Sequence, residues 1–152
     1  MTSRYQFAIL GAGAAGLQAA YYLELAGVDY CVIERSSSAG TFYKKYPRRR
    51  QLISFNRTNT IFDCPKVNLR FDWNSLLTED HSFPFSSISD SLYPSADDLV
   101  RYLELFASRY GLNIKYEHEV LRVTQDSKDS SFRLVLDGRD DICAETLICL
   151  LY

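Results

Sequence analysis

The sequence predicts an α/β fold in which a parallel sheet with flanking helices precedes a small antiparallel β-meander. Three observations support this prediction. A short apolar segment, Phe7–Leu10, leads directly into a glycine-rich loop and a helical pattern. A second apolar segment, Tyr30–Ile33, follows that helix. Further along, a long helical pattern that begins near Ser95 is followed by several short strand patterns. With 152 residues, 47% of them hydrophobic, the chain is long enough for one domain with a proper core.

The glycine-rich loop has the spacing G-x-G-x-x-G between a strand and a helix. In this pattern Gly11 permits the tight turn, Gly13 lets the backbone approach a pyrophosphate, and Gly16 allows close packing of the helix on the sheet. The phosphates then lie at a helix N-terminus, where unpaired N–H groups and the helix dipole favour negative charge. Apolar residues at helical spacing predict a helix over 14–26 that ends at Gly27.

An acidic residue, Glu34, stands 18 positions after Gly16, at the end of the second predicted strand. Its carboxylate can accept hydrogen bonds from the ribose hydroxyls of an adenine dinucleotide, which completes a Rossmann-like βαβ unit. Because a carboxylate repels a ribose 2′-phosphate, the pattern favours FAD or NAD over NADP, although Arg35 beside it weakens this exclusion. The alternative is a glycine-rich turn that binds nothing.

The middle of the chain, residues 36–94, is irregular and rich in aromatic and turn-forming residues, which is typical of a functional excursion. Within it, Leu52–Phe55 is predicted as a short strand. A capping box at Ser95–Asp98 starts a helix that ends at Gly111. The later strand predictions are 113–116, 120–123, 132–136 and 145–150.

Composition excludes several function classes. The net charge of −2 and pI near 5.7 give no general attraction to nucleic acid or anionic membranes. A basic cluster, 44–50, is either a solvated loop or a contact to a cofactor phosphate or partner. No apolar stretch is long enough to span a membrane, and the start does not resemble a signal peptide, so a cytoplasmic location is expected. The four cysteines have no C-x-x-C spacing and three of them lie in apolar segments, which argues against a redox disulfide; the two histidines form no metal-ligand pattern, so no metal is expected.

The whole pattern resembles the N-terminal part of two-dinucleotide flavoproteins of the flavin-containing monooxygenase-like branch. The glycine loop with Glu34, the segment Ala39–Phe42, and the pair Tyr93-Pro94 ahead of a helix all match that branch. Closer still, residues 46–54 and the run Asp-Trp-Asn-Ser-Leu-Leu at 72–77 resemble FAD-dependent oxidoreductase domain-containing proteins, a group that includes the endoplasmic-reticulum flavoprotein associated with degradation.

The resemblance implies which residues contact the cofactor. In such proteins the FAD adenosine diphosphate lies across the glycine loop and the acid, and a backbone position after the later helix contacts the adenine. An asparagine beside the flavin serves the reaction with oxygen in some monooxygenases; Asn56 is the counterpart here, with Asn59 as the alternative, although an asparagine in such a loop is often structural. The implied cofactor-binding residues are Gly11, Ala12, Gly13, Ala14, Ala15, Gly16, Glu34, Arg35, Gly40, Thr41 and Val120.

The chain also departs from the family. It has no second glycine motif for NAD(P)H and no Ala-Thr-Gly loop after its last strand, so the fold is expected to be incomplete at the C-terminal end and NAD(P)H to bind only a full-length relative. The sequence therefore predicts the FAD-binding portion of a flavin-dependent oxidoreductase, divided into 1–35, 36–94 and 95–152. The alternative is a truncated, non-catalytic product that acts through protein contacts, since a last strand at a sheet edge would be adhesive. A longer natural N-terminus would allow a location in the endoplasmic-reticulum lumen.

Overall fold

A computed structural model describes residues 2–57 and 63–150. The chain forms two compact units, one made of residues up to Ala39 together with those from Tyr110 onward, the other of Gly40–Arg109. The first unit contains β1 (Ser3–Leu10), α1 (Ala14–Leu25), β2 (Tyr30–Ile33), β3 (Ile114–Lys115), β4 (Val120–Gln125), β5 (Phe132–Leu136) and β6 (Ile142–Cys149). The second contains α2 (Thr41–Lys45), α3 (Pro65–Phe71), a 3₁₀ turn (Phe85–Ser87) and α4 (Ala96–Arg109).

One six-stranded sheet organises the first unit, in the order β3-β2-β1-β6-β5-β4. The pairs β2/β3, β1/β2 and β1/β6 are parallel, whereas β5 pairs antiparallel with both β4 and β6. The α/β prediction with a terminal meander is therefore confirmed. The structure adds that the meander is not separate, because its last strand joins the parallel part of the sheet.

All four residues of β2 and the last three of β1, Ala8–Leu10, are buried, as their apolar sequences predict. Ile9 on β1 approaches α1, where its Cγ2 lies 3.7 Å from the position of a Cβ at Gly16. Its neighbours Ala8 and Leu10 point to the opposite face and join a core cluster with residues of β2, β5 and β6. α1 buries a single stripe against the sheet, consisting of Gly16, Leu17, Ala20 and Tyr21.

The long predicted helix and its capping box are confirmed in the second unit. The Asp98 backbone N–H donates to Ser95 Oγ at 2.9 Å, and the Ser95 N–H donates to Asp98 Oδ2 at 3.2 Å. Tyr102 of α4 is wholly buried, and its hydroxyl accepts from the Leu76 N–H at 2.9 Å and donates to the Phe83 carbonyl at 3.1 Å. These two bonds hold the irregular segment before α4 against that helix.

Two strand predictions were wrong, one entirely and one in its start and position. Residues 52–55 form no strand: Gln51 makes an isolated bridge to Ser95, and Ile53 is 94% exposed. The last strand begins at Ile142 rather than at residue 145, and it lies between β1 and β5 instead of at an edge. β6 is paired on both sides, so no unpaired last strand favours a non-catalytic, adhesive product.

The cysteines are all free thiols, but only one of the three that lie in apolar segments is buried. Cys31 is buried and Cys143 half-buried, whereas Cys64 and Cys149 are exposed. Burial raises the pKa of the Cys31 thiol to about 12, so this residue stays protonated at neutral pH. Within the described ranges no helix is long and apolar enough to cross a bilayer.

Candidate functional site

The three glycines of the loop differ in whether the fold would tolerate a side chain at their position. Gly11 has φ of +98°, a conformation that disfavours any side chain, and a Cβ there would also lie 3.1 Å from the Leu150 carbonyl oxygen. A Cβ at Gly16 would lie only 2.0 Å from the carbonyl oxygen of Gly11. Gly13 differs, because its backbone is extended and a Cβ would have nothing within 4 Å. The fold thus requires Gly11 and Gly16, whereas Gly13 leaves open space above the loop.

The N-terminus of α1 presents backbone donors at this open space. Gly13 is the N-cap, no side chain caps the helix, and its first turn holds no acidic residue. The first intrahelical bond runs from the Leu17 N–H to the Gly13 carbonyl at 2.9 Å. The amides of the preceding turn, Ala14, Ala15 and Gly16, therefore lack a carbonyl partner in the helix, and the helix dipole adds positive potential there. These features fit a pyrophosphate group.

The acid of the motif is held next to the loop by backbone groups. Glu34 is 7% exposed; its Oε2 accepts from the Ala12 N–H at 2.8 Å, and its Oε1 accepts from the Ser36 N–H at 2.9 Å. An ionised carboxylate has about four acceptor positions, so each oxygen can accept one more hydrogen bond. The arrangement leaves Glu34 able to bind a pair of vicinal hydroxyls.

A turn after β3 fixes the backbone on both sides of this acid. The Glu34 N–H donates to the Lys115 carbonyl at 3.0 Å, and the His118 N–H donates to the Glu34 carbonyl at 3.0 Å. The Glu117 N–H also donates to the Ser36 carbonyl at 3.0 Å. Val120 lies two residues after His118, at the start of β4, where the pairing with β5 is irregular. The structure therefore brings the glycine loop, Glu34 and the segment leading to Val120 together in one unit.

The remaining predicted residues belong mostly to the second unit. Gly40 has φ of +67°, and a Cβ there would lie 2.9 Å from Cδ1 of Leu103, so α4 packs where a side chain would be. Thr41 is the first residue of α2. Part of the basic cluster is engaged with α4: Lys44 pairs with Glu104 at 3.2 Å, and Arg50 pairs with Asp97. Arg35, in the first unit, is exposed directly after Glu34.

Asn56 is a buried asparagine of the second unit, 3% exposed. Its backbone N–H donates to the Leu92 carbonyl at 3.0 Å, and its Nδ2 donates to the Ser89 carbonyl. Its Oδ1 has no partner among residues 2–57 and 63–150. The catalytic role assigned to Asn56 stays a prediction, and its alternative, Asn59, lies outside the described residues.

Sequence reasoning found the acid but missed what orients it. The donors from Ala12 and Ser36, and the turn at Glu117 and His118, involve backbone atoms, which leave no composition signal. The described part of the chain also gathers no group of three or more His, Cys, Asp or Glu side chains that could hold a metal ion.

Comparison with known proteins agrees with this geometry. The family described as pyridine nucleotide-disulphide oxidoreductase matches residues 8–149. The chain is 48% identical over 120 residues to the FAD-dependent oxidoreductase domain-containing protein 2 of Mus musculus, covering 79% of the chain and 18% of that relative. The Danio rerio protein of the same name is 45% identical over 122 residues, again with 18% of its length covered. These matches confirm the resemblance, and the chain spans less than a fifth of the relatives' length.

Among solved structures, a flavin-containing monooxygenase from Stenotrophomonas maltophilia aligns with a TM-score of 0.77. The alignment covers 97% of this chain and 38% of the other at 20% sequence identity. At this identity the likeness establishes the fold, which is the α/β architecture with six strands described above.

Proposed function

Because the chain belongs to the pyridine nucleotide-disulphide oxidoreductase family, we propose that its first unit binds FAD, as the N-terminal part of a flavin-dependent NAD(P)H oxidoreductase or monooxygenase. One observation carries the proposal: the uncapped start of α1 at Gly13 and the carboxylate of Glu34 are joined through the Ala12 N–H. Donors for phosphate and acceptors for ribose thus lie side by side. An adenosine diphosphate group needs both.

Each part of the adenosine diphosphate has a partner in this proposal. The N–H groups of Ala14, Ala15 and Gly16 bind the pyrophosphate at the helix start. The free acceptor positions of Glu34 bind the two ribose hydroxyls, and its charge disfavours a 2′-phosphate, which selects FAD over NADP at this site. The backbone at Val120 contacts the adenine, as the resemblance implies.

The redox half of the proposal rests on the resemblance and on the printed names of the relatives. Bound FAD supplies two-electron chemistry, and the protein positions it and controls its surroundings. NAD(P)H serves as the reductant in a full-length relative. Arg35 lies beside the ribose in this proposal, and the flavin contacts of Gly40, Thr41 and Asn56 stay predictions from the resemblance.

Titration of the purified chain with FAD, followed by flavin fluorescence and by thermal unfolding, tests the proposal. We expect saturable binding that raises the melting temperature, because a ligand that binds only the folded state stabilises it. In Gly13→Val, a branched side chain fills the space that the pyrophosphate must enter. The Kd for FAD should therefore rise at least about tenfold, which is the effect of losing one charge-assisted hydrogen bond.

Ala26→Val is the matched control, because it adds the same side chain at the exposed C-terminal end of α1. It should bind FAD like the parent chain. If the folded parent chain neither quenches the flavin nor gains stability from it, the proposal is wrong. Equal affinity of Gly13→Val and the parent would show that FAD binds elsewhere.

A further inference from the structure

The first unit contains a cavity of about 680 Å³ that the dinucleotide proposal does not use. Lys115, His118 and Arg139 bring basic groups to its wall, and the buried core residues Leu136 and Ile142 lie beneath it. The other lining residues are Ser3, Gly138 and Asp140. None of the residues predicted to bind FAD lines this basic cavity. Its volume lies within the range of small-molecule sites, roughly 300–1,000 Å³.

Two basic side chains of the cavity, Lys115 and Arg139, are available for a ligand. The Lys115 ammonium lies 5.8 Å from the ring centroid of Tyr5, and within the described ranges it has neither an ion pair nor a hydrogen bond. Arg139 donates from Nε to the Glu117 carbonyl at 3.1 Å. This bond orients the guanidinium, while its two terminal nitrogens have no partner in the described part of the chain. A guanidinium held in this way suits two-point contact with a carboxylate or phosphate.

His118 adds a third polar group with a defined tautomer. Its Nδ1 lies 2.6 Å from the Tyr116 carbonyl oxygen, which is an acceptor, so Nδ1 carries a hydrogen. Nε2 is then left to accept a hydrogen bond from a ligand. The three basic side chains come from β3, the turn after it and the turn between β5 and β6.

The charge balance of the basic cavity favours an anion. Lys115 and Arg139 face a single carboxylate among the lining residues, that of Asp140, which is itself engaged in another interaction. We propose that the basic cavity binds a small organic anion whose carboxylate or phosphate contacts Lys115 and Arg139. The proposal does not depend on FAD binding.

Three probes with the same phenyl ring test the charge requirement: phenyl phosphate, benzoate and neutral benzyl alcohol. Each is titrated into the ¹⁵N-labelled chain while backbone amide shifts are followed. We expect saturable shifts at Gly138, Arg139 and Lys115 with one or both anions, and none with benzyl alcohol. The stronger anion identifies the acid group. Shifts of equal size with benzyl alcohol, or no saturable shifts with any probe, would overturn the proposal.

Arg139→Gln removes the guanidinium from an exposed turn and should raise the Kd of the better anion about tenfold, the effect of one charge-assisted hydrogen bond. Lys128→Gln is the matched control, because Lys128 is an exposed cation in another turn of the same unit and does not line the cavity. If the two variants weaken binding equally, the attraction is only net charge and the assigned contact is wrong. A repeat with FAD present should give the same Kd for the anion, since the two sets of residues do not overlap.

Discussion

Replacement of Gly16 by alanine should destabilise the fold, although alanine is the better helix former. The added Cβ would lie 2.0 Å from the Gly11 carbonyl oxygen, and real Cβ contacts are essentially never under 3.0 Å. α1 or the loop must therefore move by at least 1 Å. The opposing atom belongs to the backbone and cannot rotate away. We therefore expect the clash to lower the free energy of unfolding by about 3 kcal/mol, the upper end of the range for overpacked cores. Subtracting about 1 kcal/mol for helix propensity leaves a loss of about 2 kcal/mol.

Gly13→Ala in the same loop is the matched comparison. Its Cβ would have nothing within 4 Å, and φ of −78° with ψ of −179° suits any residue. Alanine restricts the unfolded chain, a gain of about 0.4–1 kcal/mol, but it is a poorer N-cap than glycine by a similar amount. We therefore expect a free energy of unfolding within about 0.5 kcal/mol of the parent value.

Urea unfolding followed by far-UV circular dichroism measures both variants. The Gly16→Ala midpoint should fall clearly, with a melting temperature lower by roughly 4–8 °C for a chain of this size. The Gly13→Ala midpoint should stay near that of the parent. If Gly16→Ala unfolds at the parent midpoint, or Gly13→Ala loses as much, the assignment of a packing role to Gly16 and not to Gly13 is refuted.

Two further predictions concern β2. In Tyr30→Phe, Glu24 loses the donor at 2.8 Å and the Asn113 N–H loses the acceptor at 3.1 Å, so the free energy of unfolding should fall by about 1–3 kcal/mol; an unchanged urea midpoint would contradict this. The raised pKa of Cys31 means that the folded state keeps a proton that the unfolded chain loses above pH 9, so stability should fall as pH rises from 9 towards 12. Cys31→Ala should reduce that slope by up to about 1.4 kcal/mol per pH unit, and an unchanged slope would show that the thiol titrates normally.

The sequence predicted those elements whose information is local. The bounds of β2 and β5 were predicted correctly, and the Ser95 capping box marked the start of α4, because alternation, helical spacing and caps are short-range patterns. The position of β6 was not predictable in this way. Its pairing with β1 joins Ser3 to Ile142, and no local pattern specifies a partner so distant in sequence. The strand predicted at 52–55 was wrong for a related reason. A strand needs a neighbouring strand to pair with, and this segment has only the isolated bridge between Gln51 and Ser95.

The candidate site also divides into features that local sequence patterns predict and features that depend on residues distant in the sequence. Glycine spacing and an acid at the end of a strand predicted the loop and Glu34, because the ligand needs those residue types at that distance. The basic cavity had no such signal. Lys115 and Arg139 are 24 positions apart in the sequence, and the sheet topology brings them to one opening. A motif search identifies residues whose spacing the chemistry requires, but not residues that the fold brings together.

The glycine loop itself depends on this distant pairing. The Gly11 N–H donates to the Ile33 carbonyl at 2.9 Å, and the Leu150 N–H donates to the Leu10 carbonyl at 3.2 Å, so the ends of both neighbouring strands hold the turn out of β1. A side chain at position 11 would also be crowded, because the Leu150 carbonyl oxygen lies 3.1 Å from where a Cβ would be. The need for glycine at position 11 thus depends on Leu150, a residue 139 positions later in the chain. The conformation of the glycine loop therefore depends on the pairing of β6 with β1, and not on the βαβ segment alone.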